Sequence, residues 1–200
     1  PKIITTLHGT DVTLVGADPS YSQTVAFCID QSDGVTAVSK SLRAETIREL
    51  AVGADIRVIP NFLDCDHYHY APDLDLRARL TRDNPTTKLI IHVSNFRPVK
   101  RPKAVVDIFR QILAHVPARL VLVGEGPELG SACQNARDLG LGDAVEVLGE
   151  QEHIVPILST ADLALLPSAN EGFGLSALEA MACETPVVAS CVGGLPEFIE

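Results

Sequence analysis

The chain has 200 residues, 46% hydrophobic, 21% charged and 4% aromatic, with 16 Lys and Arg against 26 Asp and Glu for a formal net charge of −10. That apolar content is enough to build a core, which excludes a disordered or collagen-like chain. The acidic balance argues against a nucleic-acid partner, whose binding rests on a basic face, and the absence of Trp argues against a stacking platform for single strands.

In chain order, the β-branched run at 2–8 predicts a strand. A helix near 20–31, a strand at 34–38, a helix at 41–50 and a strand at 56–60 follow. Ser39 or Ser41 is the expected N-cap of the second helix, with Glu45 close behind. Residues 64–84 lose periodicity and carry Asp, His, Tyr and Pro around a short helix at 74–80. The later residues are more regular: strands at 88–95, 119–124, 144–148, 163–167 and 186–190 alternate with helices at 102–115, 129–139, 154–159 and 175–182. The last residues, 195–200, read as the opening turn of another helix. Strands alternating with helices at this spacing predict right-handed βαβ crossovers and parallel sheets. The expected architecture is α/β, with a first Rossmann-like lobe over 1–66, a connection over 67–85 and a second lobe over 86–200. Neither end carries a cap, which predicts a fragment with both lobes incomplete. Ligands in such sheets bind at the carboxyl ends of the strands.

The longest apolar runs, such as 88–93 and 163–166, fall far short of the ~20 residues that span a bilayer, so no integral membrane segment is expected. No basic-then-apolar segment opens the chain, and a cytoplasmic location is expected. Five cysteines without a CxxC pair read as buried free thiols, not as a disulfide framework or zinc knuckle. His67 and His69 beside Asp64 and Asp66 have metal-like spacing, but a surface loop is the better reading of that stretch.

The most informative stretch is Glu171-Gly172-Phe173-Gly174-Leu175-Ser176-Ala177-Leu178-Glu179. Gly172, Phe173, Gly174 and Leu175 lead into a helix, where exposed N–H groups and the helix dipole favour an anion. Gly174 lets a phosphate approach without a Cβ in the way. Glu179 lies one turn into the helix and leans back toward its start, where its carboxylate can accept from a ribose diol. Solvent-facing glutamates on a plain strand-to-helix turn, or a glycosidase pair, are the alternative readings. In an otherwise acidic chain, Arg97, Lys100, Arg101 and Lys103 fall within seven positions after a strand. Either they form a solvated loop or they meet a pyrophosphate through charge-assisted contacts. His8, beside Gly9 at the end of the first strand, is either a structural turn residue or a sugar contact.

The 171–179 stretch resembles the E-x-F-G-x-x-x-x-E signature of glycosyltransferase family 4, the retaining enzymes with the GT-B fold. Gly124-Glu125-Gly126-Pro127 resembles that family's G-x-G-P turn, Gly193-Gly194-Leu195-Pro196-Glu197 its G-G-x-x-E turn, and 95–101 its basic loop. The resemblance implies a GT-B-like fold and a nucleotide-sugar donor. It places Lys100 and Arg97 on the departing diphosphate, Glu171 and His8 on the transferred sugar, and Glu179 on the ribose. The family arginine commonly stands where this chain has Asn95, which leaves open whether Asn95 or Arg97 fills that place. Thr6, on the same strand end as His8, is a candidate acceptor contact. No Asp-x-Asp motif accompanies these residues, so a metal-independent reaction without a cofactor is expected.

A narrower resemblance runs through 8–16, 31–39, 59–62 and 94–97, to the family members that move N-acetylglucosamine from UDP-N-acetylglucosamine to L-malate in the first step of bacillithiol biosynthesis. It implies a UDP-sugar donor and a small dicarboxylate acceptor as partners, with homo-oligomerisation left open. Another acceptor (an inositol phosphate or a glycan), a UDP-sugar epimerase of the same fold, and a nucleotide-sugar-binding module without turnover are the alternatives.

Overall fold

The computed structural model describes residues 1–200, apart from the side chain of residue 14. It divides into two compact units. The first comprises residues 1–62 with 170–175 and 191–200, and the second comprises 63–169 with 176–190.

The first unit is built on three parallel strands, β1 (Ile4–Leu7), β2 (Gly34–Ala37) and β3 (Ile56–Val58), in the order β1-β2-β3. Helices α1 (Pro19–Asp30) and α2 (Lys40–Leu50) link them. Asp18 caps α1 by accepting from the Ser20 N–H, with Pro19 at the first helical position. Of the two candidate serines for α2, Ser39 is the cap: its backbone is extended and its side chain accepts from the Leu42 N–H. Leu7, Val35, Ala37, Leu42 and Ile56 form the buried face of the unit. On the opposite face, Ile4, Thr6, Thr36, Arg57 and Phe62 line a cavity of about 710 Å³. A wide, π-helical turn at Asp11–Val15, which no sequence signal announced, follows β1.

The second unit carries five parallel strands, β4 (Lys88–Val93), β5 (Ala118–Val123), β6 (Val145–Gly149), β7 (Leu163–Leu166) and β8 (Val187–Ala189), in the order β6-β5-β4-β7-β8. Its helices are α3 (Leu74–Thr81), α4 (Pro102–Leu113), α5 (Leu129–Asp138), α6 (Ile154–Thr160) and α7 (Leu175–Ala182), of which α7 starts in the loop grouped with the first unit. Every residue of β5 is buried, as expected of a central parallel strand covered on both faces. In α4, Pro102, Val105, Val106 and Phe109 recur at helical spacing and are all buried. Val105, Val106 and Phe109 pack with Leu120, Leu122, Ala132 and Ala136 in one core, where full burial of a large apolar side chain contributes about 1.5–3 kcal/mol.

The connection is tied to this unit. Ser159 Oγ accepts from the Ala71 N–H at 3.0 Å, and Thr160 Oγ1 from the Asp73 N–H at 3.0 Å. Asp162 accepts from the Leu89 N–H at 2.8 Å, from Arg77 at 3.0 Å and from Lys88 at 3.2 Å. Burial pushes its carboxyl up, but these donors together outweigh burial and hold it below its usual range.

By contacts, residues 170–175 and 191–200 group with the first unit, where their backbone packs on the ends of β1 and β2. Two expectations are corrected. The terminal stretch 195–200 forms only a tight turn at Leu195–Glu197, with Phe198 already out of helical conformation. Of the five cysteines, Cys183 alone is buried, Cys133 is half-buried, and Cys28, Cys65 and Cys191 are exposed. Among the described residues no helix is long and apolar enough to cross a membrane.

Candidate functional site

In the first unit, the sequence-predicted residues gather where β1 and β2 end. Ser39 Oγ donates to the Gly172 carbonyl at 2.6 Å while it accepts from Leu42 N at 3.0 Å. Gly172 lies so close to the His8 carbonyl that a Cβ there would overlap it. The Gly194 N–H donates to the Glu171 carbonyl at 2.9 Å. Asn170 Oδ1 accepts from the Glu171 N–H at 2.8 Å, and Asn170 Nδ2 donates to Glu45 Oε1 at 3.3 Å. Phe173 is buried and stacks on Phe198 with ring centroids 5.1 Å apart. Gly174 has a φ of +100°, and the Leu195 side chain occupies the space a Cβ would take. The backbone conformation therefore favours glycine at this position, in addition to any approach by a ligand. Leu175 is exposed at the first position of α7.

Glu197 completes this arrangement. Its carboxylate accepts from Lys40 N at 3.0 Å and Ser41 N at 2.8 Å, so it satisfies two of the four N–H groups that open α2. The sequence reading recognised the G-G-x-x-E turn but gave its glutamate no role. The double duty of Ser39 was equally invisible, because its second partner lies 133 residues away.

His8 is exposed, and its N–H donates to Asp11 Oδ1 at 3.1 Å, with the Gly9 N–H on the same oxygen at 2.8 Å. The Asp11 side chain thus fixes the turn that presents the imidazole. Thr6 faces the open side of the sheet, where the Thr36 hydroxyl donates to its oxygen at 2.9 Å. Glu171 is buried, so the solvent-facing alternative does not hold for it.

In the second unit, the strand order reverses between β4 and β7, and the crevice outside such a switch point is where open α/β sheets bind ligands. The loops after those two strands are joined there, with the Ala169 N–H on the Val99 carbonyl at 2.7 Å. Asn95 and Arg97 are exposed and Lys100 half-buried in this loop, with Lys100 closing a tight turn at Pro98–Lys100. The base of the loop is held by a chain of hydrogen bonds. In the ring of buried His92, Nδ1 donates to the Leu165 carbonyl at 2.8 Å, and Nε2 pairs with Ser94 Oγ at 2.8 Å. Ser94 Oγ in turn accepts from the Phe96 N–H at 3.1 Å. Gly126 of the G-x-G-P turn has a φ of +154°, and a Cβ there would overlap the Asn95 carbonyl, so the two loops need a glycine to meet.

Glu179 on α7 is half-buried. Burial pushes its carboxyl above the usual range, partly offset by a hydrogen bond from the Tyr68 hydroxyl at 3.4 Å. Among the described residues no group of three or more His, Cys, Asp or Glu is arranged to hold a metal. The chain's Asp-x-Asp runs at 64–66 and 73–75 serve the local backbone: Asp64 Oδ1 accepts from Asp66 N, and Asp73 caps α3 through Leu76 N.

Known proteins are similar to this chain in sequence and fold. Residues 78–200 match the family model for glycosyl transferases group 1, and residues 1–67 match that for Glycosyltransferase Family 4. N-acetyl-alpha-D-glucosaminyl L-malate synthase of Bacillus anthracis is 44% identical over 199 residues, which cover 100% of this chain and 52% of that protein. D-inositol 3-phosphate glycosyltransferase of Mycolicibacterium smegmatis is 38% identical over 147 residues, 66% of this chain and 33% of that protein. The chain thus spans about half the length, or less, of these curated relatives. Among solved structures, Anabaena HepE in complex with UDP and glucose matches with a TM-score of 0.83 at 26% identity, over 100% of this chain and 55% of that one. The fold is that of the GT-B glycosyltransferases, and the chain belongs to the glycosyl transferases of group 1.

Proposed function

We propose that the protein is a retaining glycosyltransferase that moves N-acetylglucosamine from UDP-N-acetylglucosamine to the hydroxyl of L-malate, in the cytoplasm, as the first step of bacillithiol biosynthesis. The observation that carries this reading is the 44% identity to the malate synthase, which runs through the whole chain, including the acceptor-side residues 1–67. The inositol phosphate enzymes match at lower identity, 38% over 66% of the chain for that of Mycolicibacterium smegmatis and 36% over 84% for that of Mycobacterium sp. strain JLS.

The chemistry requires UDP to leave the anomeric carbon as a malate hydroxyl attacks. Lys100 and Arg97 neutralise the charge that develops on the departing diphosphate, and the N–H groups of Gly172 to Leu175 solvate it without reorganising. In this reading fixed cations and amides hold the leaving group, and no metal ion or cofactor takes part. Glu171 orients the transferred sugar, His8 contacts it, Glu179 takes the ribose diol and Thr6 the acceptor. With retention of configuration, the departing phosphate takes the acceptor proton on the same face of the sugar.

The test is UDP release by the full-length protein with UDP-N-acetylglucosamine and each of three acceptors. Turnover that depends on L-malate, with an α-linked product, supports the reading. Turnover only with inositol phosphate overturns the malate assignment, and UDP release without any acceptor points to an epimerase.

A further inference from the structure

The stretch at 64–69 is left without a role by the reading above, yet it is closely built. Asp64 organises a turn: its carbonyl accepts from His67 N at 3.1 Å and Tyr68 N at 2.8 Å, and its side chain accepts from Asp66 N at 2.9 Å. His69 Nδ1 pairs with the Asp66 carbonyl at 3.0 Å, and the His67 ring stands edge-on to Tyr68 with centroids 4.9 Å apart. Just beyond, the Ala71 N–H is fastened to Ser159 of α6. These bonds fix the backbone that carries Tyr68, whose hydroxyl ends 3.4 Å from Glu179 Oε1.

We propose that Tyr68 is a positioning residue for nucleotide binding, which holds the Glu179 carboxylate in the orientation that receives the ribose. The proposal rests on the reading of Glu179 given above. A carboxylate has about four acceptor positions, so one bond from a phenol leaves room for two ribose hydroxyls. A long, half-buried Glu side chain loses rotamer freedom when a ligand fixes it, and a preset partner lowers that cost. Among the described residues, ionisable groups interacting with Glu179 include Tyr68 from the connection and Cys183 from the end of α7, with Cys183 itself bonded to Ser159. Neither of these two is a cation. The phenol is therefore the neighbour that favours the ionised carboxylate against burial.

The experiment compares Tyr68→Phe, Glu179→Ala and wild type in the full-length protein. Calorimetry with UDP and with 2′,3′-dideoxy-UDP provides the readout. Tyr68→Phe is expected to weaken UDP about three- to tenfold and to leave the dideoxy nucleotide unchanged. Equal loss for both nucleotides means that Tyr68 only supports the fold, and overturns the proposal. An unchanged UDP affinity overturns it as well, provided Glu179→Ala still weakens UDP. If Glu179→Ala leaves UDP untouched, the ribose assignment itself fails and the proposal goes with it.

Discussion

Ser39 and Gly172 are bonded at 2.6 Å, and the same serine oxygen that donates to the Gly172 carbonyl receives the N–H of Leu42. One hydroxyl thereby sets both the start of α2 and the position of the glycine loop. Ser39→Ala removes both bonds and leaves a carbonyl and an N–H without these partners. The expected cost is about 1–3 kcal/mol in denaturant unfolding, with turnover falling by more than the loss of folded protein explains. Ser39→Thr, which keeps the hydroxyl, should restore most of both.

Gly172→Ala is expected to act differently. Its methyl would overlap the His8 carbonyl, so either the loop or the end of β1 must move. If the loop holds the leaving phosphate as proposed, a displacement near 1 Å costs about a hundredfold in rate. Circular dichroism should show an intact fold beside that loss, and near-normal turnover would show that the loop has slack the packing does not suggest.

Lys100 and Arg97 should separate in steady-state kinetics. Each charge-assisted contact to the diphosphate is worth about 1.5–3 kcal/mol, or about 10- to 150-fold in kcat/KM on removal. Lys100→Ala is expected to reach this range, with most of the loss in kcat because the charge develops as UDP departs. Arg97→Ala reaches it only if Arg97 supplies the charge that the family arginine supplies in place of Asn95. A loss below twofold in Arg97→Ala would leave Lys100 as the principal cation.

Glu179 couples stability to pH in the opposite sense from most carboxylates. Burial raises its pKa above the ordinary 4.5, so between that value and its folded one the native state binds the extra proton. Its contribution is most favourable below pH 4.5 and is lost as pH rises through the folded value. Glu179→Gln therefore should raise the Tm at pH 8, change it little at pH 4, and weaken UDP at pH 8. Thermal unfolding at the two pH values checks the sign, and a lower Tm at pH 8 would contradict it.

Much of the fold was legible because its signals are local. Pro102, Val105, Val106 and Phe109 mark α4 by their spacing, and the apolar run 120–123 of β5 marks a strand with two covered faces. The E-x-F-G run showed where the glycine loop lies, but not what holds it. Ser39 reads locally as a cap and Glu197 as the last letter of a motif; their partners, Gly172 and the N–H groups of Lys40 and Ser41, lie 133 to 157 residues away in the chain. The same limit hid Tyr68, which sits in a stretch without periodicity and meets Glu179 across 111 residues. Metal-like spacing drew attention to that stretch first, whereas Asp64 spends its oxygens on a backbone turn.

The pairing of Ser39 with Gly172 and of Glu197 with α2 also constrains the order of events during synthesis. Because a ribosome extends the chain at about 5–20 residues per second, β1, β2 and α2 emerge well before the segments that finish their unit. Until residues 170–175 and 191–200 leave the exit tunnel, the opening turn of α2 lacks its carboxylate and the Ser39 hydroxyl faces water. The first unit is therefore completed only once these later segments have emerged.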